Sequence, residues 1–222
     1  MAKTEQINQL FKEWQEAYDF DIFCKDGIVD EKEFGINVPK IAFLLKDANV
    51  EKPEESDVCK KLSDTADGIN AFGKMCKVLC MWTKIAENPS ASFSDCCNDE
   101  FDVDDSIREY LKKIAVVNLS KEHVKGVNDQ DELSVKLSRA VDLYYHFTKK
   151  ELDIIDPDIV VCCGTYYHIL RQYGAIEEVL PSGARCFSAN GKIFVEMCHP
   201  GSYISYPVLF AYFKEVYSDL HL

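Results

Sequence analysis

Three short apolar runs, set between long helical segments, constrain the fold of this chain more than any other feature of its sequence. The runs are KIAFLL at 40–45, IAVVN at 114–118 and IVVCC at 159–163. A continuous apolar run of this length, without polar alternation, is typical of a strand that is buried on both faces of a parallel sheet. The sequence therefore predicts an α/β protein whose strands lie inside the molecule.

Segments with helical periodicity separate these runs and flank them. Apolar residues recur three or four positions apart, which is the spacing of an amphipathic helix. The predicted helices cover 4–22, 68–86, 106–113, 129–152 and 206–219, and a further helix begins after Thr165 and runs through Gln172. By contrast, the stretch from Lys25 to Pro39 mixes glycines with charges and predicts an irregular connection.

The Asn190-Gly191 pair predicts a tight turn near the end of the chain. Asn-Gly between two short apolar segments is a strong signal for a β-hairpin, and its arms here are 185–188 and 192–197. Strands that alternate with long helices favour parallel pairing with right-handed crossovers. The expected fold is a three-layer α/β/α sandwich with a mostly parallel central sheet of about four strands.

Length and composition fit one folded domain that covers residues 1–222. Apolar residues make up 47% of the chain and aromatic residues 12%, which is too rich a composition for a disordered protein. The N-terminal segment is polar, and no stretch approaches the roughly 18 apolar residues of a membrane span. We therefore expect no membrane association and a cytoplasmic location.

The ten cysteines raise the question of disulfides or of a bound metal. Two adjacent pairs and several positions inside apolar runs favour reduced, buried thiols. Cys76 and Cys80 would share one face of a helix, but a zinc or iron–sulfur site needs a second pair, or histidines, at ligand spacing. The sequence therefore predicts no metal and no cofactor.

Polar residues follow the predicted strands at the points where they end. Asp47 and Asn49 come after the first strand, Asn118 ends the second, Gly164 follows the third and His199 follows the hairpin. Ligands of open α/β sheets bind at the carboxyl ends of the strands. A carboxylate, a carboxamide and an imidazole that meet there can orient a water, read a hydrogen-bonding edge and stabilise a developing anion.

Each of these residues also has an ordinary structural interpretation. Asp47 and Asn118 can cap turns by hydrogen bonding to their own backbone. A histidine before a proline, such as His199, is commonly a packed loop residue. It is their joint occurrence at the strand ends that indicates a site.

At these residues the chain resembles the uracil-DNA glycosylase superfamily. The segment IAFLLKDAN is similar to a family strand that runs into a GQDPY-like loop, so Asp47 would match the aspartate that positions the attacking water. AVVN resembles the strand whose final asparagine, here Asn118, reads the uracil edge. CHPGSYIS resembles the HPSPLS loop, and His199 would match the histidine that stabilises the uracil O2 as the glycosidic bond breaks.

The segment DPDIVVCCGTYYHIL is similar to the strand-Gly-helix segment before the last family motif, so the resemblance spans residues 40 to 216 in the family order. It implies a uracil-DNA glycosylase-like fold and hydrolysis of the N-glycosidic bond of a deaminated base in DNA. Catalysis would fall to Asp47 and His199. The substrate would be bound by Asn118, Lys46, Asn49, Gly164, Ser202 and Tyr203, of which Tyr203 matches the leucine that wedges into the base stack.

The net charge of −13 favours a different use of the same fold. A DNA-binding protein needs local positive charge, which on the glycosylase hypothesis Lys46, Lys121, Lys125 and Arg185 would supply by meeting phosphates. The alternative is a non-catalytic protein that binds a free nucleobase or nucleoside. The sequence leaves open which of the two it is, whether the chain is an enzyme, and its oligomeric state.

Overall fold

The computed structural model describes residues 1–48, 56–64, 73–97, 105–122 and 130–220. The helices within these ranges are α1 (Lys3–Ala17), α2 (Val58–Asp64), α3 (Lys74–Glu87), α4 (Phe93–Cys96), α5 (Asp105–Leu111), α6 (Gln130–Ile155), α7 (Tyr166–Tyr173) and α8 (Tyr206–Asp219). The strands are β1 (Gly27–Ile28), β2 (Ile41–Asp47), β3 (Ala115–Ser120), β4 (Ile159–Cys163), β5 (Glu178–Val179), β6 (Arg185–Ala189) and β7 (Lys192–Met197).

The described strands form one sheet in the order β1-β3-β2-β4-β7-β6-β5. Strands β3, β2, β4 and β7 run parallel at its centre. Strand β1 pairs antiparallel at one edge, and β6 and β5 pair antiparallel at the other. The α/β class predicted from the sequence is confirmed.

The prediction of a mostly parallel sheet of about four strands is wrong. Within the described residues the sheet has seven strands and is mixed. Strands β1 and β5 are only two residues long, so they show no periodicity that a sequence pattern could reveal. Strand β1 lies inside the segment that was predicted to be irregular, and it is a strand only because β3 pairs with it.

The predicted hairpin is present and its turn has the expected backbone conformation. Asn190 and Gly191 both adopt positive φ, at 51° and 74°, as a two-residue type I′ turn requires. Ala189 pairs with Lys192 on either side of this turn. The turn thereby sets the register between β6 and β7, and β7 in turn pairs with β4 up to Met197, its last residue, beside Cys163.

Apolar side chains pack on both faces of the sheet. Ile41, Phe43 and Leu45 of β2 join a cluster with residues of α3 and α8. Ala42 and Leu44 join a second cluster with residues of α1 and α6. Because successive side chains of a strand point to opposite faces, the pleat directs Lys46 and Asp47, the last two residues of β2, to different sides of the sheet.

The cysteines belong to this packing. All ten lie within the described residues, none is in a disulfide bond, and eight are buried. Burial raises the pKa of Cys76 to about 12, so its thiol stays protonated at neutral pH. Cys76 and Cys80 both lie in the cluster between the sheet and α3, which confirms the interpretation of the cysteines as buried core thiols.

The described helices include none that combines the length and apolar character needed to span a membrane.

Candidate functional site

The order of the parallel strands places a topological switch point between β2 and β4, and the edge of the sheet at this point is called the crevice below. From β2 the chain passes to β3 on one side, and from β4 it passes to β7 on the other side. The carboxyl ends of such a strand pair are the switch point at which open α/β sheets bind ligands. Lys46 and Asp47 end β2, and Gly164 follows β4 directly.

Lys46 lies across this crevice. A Cβ atom placed on Gly164 would be 3.4 Å from Cε and 3.9 Å from Nζ of Lys46. Gly164 itself has a φ of 71°, a conformation that glycine adopts at no steric cost, and its N–H donates to the carbonyl of Met197 at 2.8 Å. The turn after β4 thus ties β7 to the crevice and leaves room for the lysine side chain.

Thr165 fixes the same turn in a way that the sequence did not indicate. The residue stands at the N-cap of α7, as predicted, but its side chain makes no capping hydrogen bond. Its hydroxyl donates instead to the carbonyl of Leu44 in β2, at 2.9 Å. The buried hydroxyl therefore connects β2 with the β4–α7 turn.

His199 lies half-buried in the loop after β7 and holds its ring in one tautomer. The N–H of Gly201 donates to Nδ1 of His199 at 3.1 Å, so this hydrogen bond assigns the proton of the neutral ring to Nε2. Burial and the positive charge of Lys46 lower the pKa of His199 below 6.5, and Asp47 opposes this shift. At neutral pH the ring is a neutral hydrogen-bond donor.

Asn118 is buried in β3 and shares a sheet face with Asp47. In the register of β2 and β3, Leu45 pairs with Asn118 and Asp47 pairs with Ser120. Asn118 and Asp47 are therefore diagonal neighbours on one face of adjacent strands. Asn118 is 1% exposed, and within the described residues its Oδ1 has no hydrogen-bond partner.

The loop from His199 to Ser205 is held by a lysine that the sequence did not single out. Lys74, at the start of α3, donates to the carbonyls of Ser202 and Ile204. The N–H of Ser202 also donates to the carbonyl of His199 at 3.0 Å. The side chain of Tyr203, within this loop, is fully exposed.

A buried group of charges adjoins Asn118, and its composition overturns one prediction. Lys121 was expected to meet phosphates, but its side chain is 0% exposed and its ammonium contacts Asp26 and Glu151. The ammonium also lies 5.3 Å from the ring of Phe11 and 5.5 Å from that of Trp14. Although burial alone would lower it, the pKa of Lys121 is raised by the two carboxyl groups. Lys121 is a core cation.

One sequence signal for this group existed in α6. Glu151 follows Phe147 by four positions and precedes Ile155 by four, and both of those residues are buried. Residues four apart lie on the same helix face, so a glutamate on this stripe required a buried partner. Asp26 offered no such signal, because it lies in the segment predicted to be irregular.

Of the three remaining predicted residues, one has a clear outcome. Arg185 is half-exposed, lies 3.4 Å from Glu177 and 3.6 Å from Glu196, and donates to the hydroxyl of Tyr167. Its guanidinium is thus surrounded by its own acidic neighbours. Asn49 and Lys125 lie outside the residues that the structure describes.

The charges around His199 give a prediction that is independent of any activity. Replacing Lys46 by glutamine should raise the pKa of His199 toward 6.5, because a positive charge disfavours the imidazolium. Replacing Asp47 by asparagine should lower that pKa further. NMR titration of the ring Cε1–H resonance would measure both changes.

The matched control for this titration is Arg171→Gln. Burial and the positive charge of Arg171 lower the pKa of His168, whereas Arg171 does not contribute to the pKa shift of His199. The Arg171 variant should therefore raise the pKa of His168 and leave that of His199 unchanged. A pKa of His199 that does not respond to Lys46→Gln would contradict the site geometry.

Among the described residues, no group of three or more His, Cys, Asp or Glu side chains is arranged to hold a metal ion. Comparison with known proteins adds no further assignment, since no protein-family model, curated protein or solved structure matches the chain.

Proposed function

We propose that this chain hydrolyses the N-glycosidic bond of a deaminated base in DNA, as its resemblance to uracil-DNA glycosylases implies. One observation carries the proposal. Asp47 and Asn118 lie on one sheet face at the ends of adjacent parallel strands. His199 follows β7, which is separated from β2 by β4 in the sheet, and the charge of Asp47 acts to raise its pKa.

The three side chains supply the groups that the reaction needs. The bond between C1′ of the sugar and the base nitrogen breaks, and the base leaves with the electron pair. The Nε2–H of His199 donates to the base oxygen on which negative charge develops. The carboxylate of Asp47 stabilises the positively charged sugar and orients the water whose oxygen bonds to C1′, while the proton of that water balances the charge of the departing base.

The other predicted residues have supporting roles in this proposal. Asn118 presents its free Oδ1 to a ring N–H of the base. Lys46 brings an exposed positive charge to the crevice beside Gly164, and the carbonyls of Ser202 and Ile204 anchor the loop that exposes Tyr203. A nucleotide turned out of the stack would then lie between the ends of β2 and β4.

An excision assay tests the proposal. The intact protein is incubated with oligonucleotides that carry a single uracil or hypoxanthine, both as duplexes and as single strands, and alkali cleaves the resulting abasic sites. We expect cleavage at the deaminated base and none in the matched oligonucleotide with cytosine or adenine. Absence of product on every substrate, at protein in excess over DNA, would refute the proposed activity.

A second candidate, binding of a free nucleobase or nucleoside without excision, is favoured by the distribution of charge. The net charge is −13, Lys121 is buried, and Arg185 is held by Glu177 and Glu196. Ligand-dependent thermal shifts with free bases, together with no retardation of DNA at low salt, would support this candidate over the glycosylase.

A further inference from the structure

Three donors converge on the buried carboxylate of Asp26. Its Oδ2 accepts the backbone N–H of Asn118 at 2.7 Å and the side-chain Nδ2 of Asn118 at 2.9 Å. Its Oδ1 accepts from the ammonium of Lys121. The side chains of Asp26 and Lys121 are both 0% exposed, so no solvent competes for these hydrogen bonds.

The contact with Asp26 decides which way the amide of Asn118 faces. Both oxygens of Asp26 accept hydrogen bonds, and the Nδ2 of Asn118 is one of the donors, so the carbonyl oxygen of this amide points away from Asp26. That oxygen, Oδ1, is buried and without a partner in the described part of the chain. A buried acceptor of this kind is unfavourable until a donor reaches it.

Glu151 completes the charge balance of the group. Its carboxyl lies 2.8 Å from the ammonium of Lys121, and burial raises its pKa well above the ordinary value. One buried cation thus faces two carboxyl groups, those of Asp26 and Glu151. Of these two carboxyl groups, Asp26 is the one that contacts Asn118, where it accepts both the backbone N–H and the side-chain Nδ2.

We propose that Asp26 is a positioning residue that sets base specificity, because it locks the Asn118 amide with Oδ1 as the acceptor offered to a ligand. The site would then select bases whose ring carries an N–H, such as uracil and hypoxanthine. It would reject cytosine and adenine, which present an acceptor nitrogen at that position. The inference rests on the base recognition of the proposed function and not on bond cleavage.

Asn118 alone would not give this selectivity. The oxygen and the NH₂ of a carboxamide have nearly the same shape, so an asparagine with an adaptable partner can turn over and read either edge. Asp26 removes this freedom because both of its oxygens already accept hydrogen bonds, and Lys121 fixes Asp26 in turn. Selection between a donor and an acceptor edge then follows from a residue that does not touch the base.

The test compares the dissociation constants of free uracil, cytosine and 3-methyluracil, measured by calorimetry on the full chain. In the wild-type protein we expect uracil to bind at least about tenfold more tightly than the other two, since one hydrogen bond is lost with each of them. In Asp26→Asn, the new amide can donate to Oδ1 of Asn118 and let it turn over. The preference for uracil over cytosine should fall to within about threefold.

Glu151→Gln is the matched control, because it alters the same buried group without touching Asn118. This variant should keep the preference of the wild-type protein for uracil. A role of Asp26 in folding alone would weaken the binding of all three ligands equally and leave their ratio unchanged. That result, or equal affinities in the wild-type protein, would overturn the inference.

A second measurement needs no variant and covers the case in which Asp26→Asn does not fold. The NH₂ protons of Asn118 should exchange slowly with solvent in the free protein and in the uracil complex, because both states keep the bond to Asp26. Fast exchange in either state, or no binding of uracil, overturns the inference.

Selective uracil binding without excision would refute the glycosylase alone, and excision with unchanged selectivity in Asp26→Asn would refute the role of Asp26 alone.

Discussion

Replacing Lys121 by alanine is expected to lower the free energy of unfolding by about 3–5 kcal/mol, the range found when one partner of a buried ion pair is removed. The substitution leaves the carboxyl groups of Asp26 and Glu151 buried without a cation. Lys121→Met should lower the free energy of unfolding by a comparable amount. Methionine keeps an apolar side chain beside Phe11 and Trp14, but the charge that the two carboxyl groups need is still missing. Urea denaturation followed by circular dichroism measures these changes.

The pH dependence of the stability of Lys121→Ala tests whether the buried carboxyl groups cause the loss of stability. Without the cation, the folded state raises the carboxyl pKa values above those of the unfolded chain. Stability is then retained at acidic pH and lost as the pH rises, so the deficit relative to wild type should shrink on acidification.

Lys112→Ala is the control for this prediction. Lys112 pairs with Glu109 at 3.1 Å on the surface of the protein, and such pairs contribute about 0–1 kcal/mol. A loss of less than about 1 kcal/mol in Lys121→Ala, equal to that of the control, would show that the buried charges do not hold the fold together.

Replacing His199 by alanine is expected to reduce uracil excision by about 10²–10³-fold, the cost of removing one donor to a developing oxyanion. The variant loses the Nε2–H that the proposal assigns to the base oxygen but keeps Asp47 and Asn118, so the affinity for free uracil should change far less than the rate of excision. Single-turnover excision and uracil calorimetry would separate the two effects.

His146→Ala is the matched control for this second prediction. His146 lies on α6 with its ring 4.3 Å from that of Phe147, and it is not one of the residues to which the proposal assigns a role. Its removal should leave excision at the wild-type rate. If His199→Ala excises uracil as fast as His146→Ala does, His199 has no part in the chemistry.

Local sequence patterns predicted most of the central strands and the long helices. Strand β4 begins and ends where its apolar run does, at Ile159 and Cys163, since a strand buried on both faces has only apolar side chains. Helix α8 occupies 206–219, as its periodicity indicated. The two-residue strands were missed because a segment of two residues is too short to show a periodic pattern.

The candidate site was predictable only in part. Asp47, Asn118 and His199 could be proposed because each ends or follows a recognisable strand, and parallel strands bring their carboxyl ends to one edge of the sheet. The roles of Lys74 and Thr165 could not, because their partners are backbone carbonyls of other elements. A lysine or a threonine can equally well donate to solvent, so the residue type alone does not reveal such a hydrogen bond.

The sequence by itself determined that Asp47 lies at the end of one strand and that His199 follows another, because hydrophobic patterning is a local property of the chain. Only the tertiary structure decided that Asn118 is fixed by Asp26 and that Lys121 is a core cation and not a phosphate ligand. Asp26 lies 95 positions from Lys121 along the chain. Burial and charge pairing over such a separation depend on how the sheet and helices pack, and no local pattern encodes them.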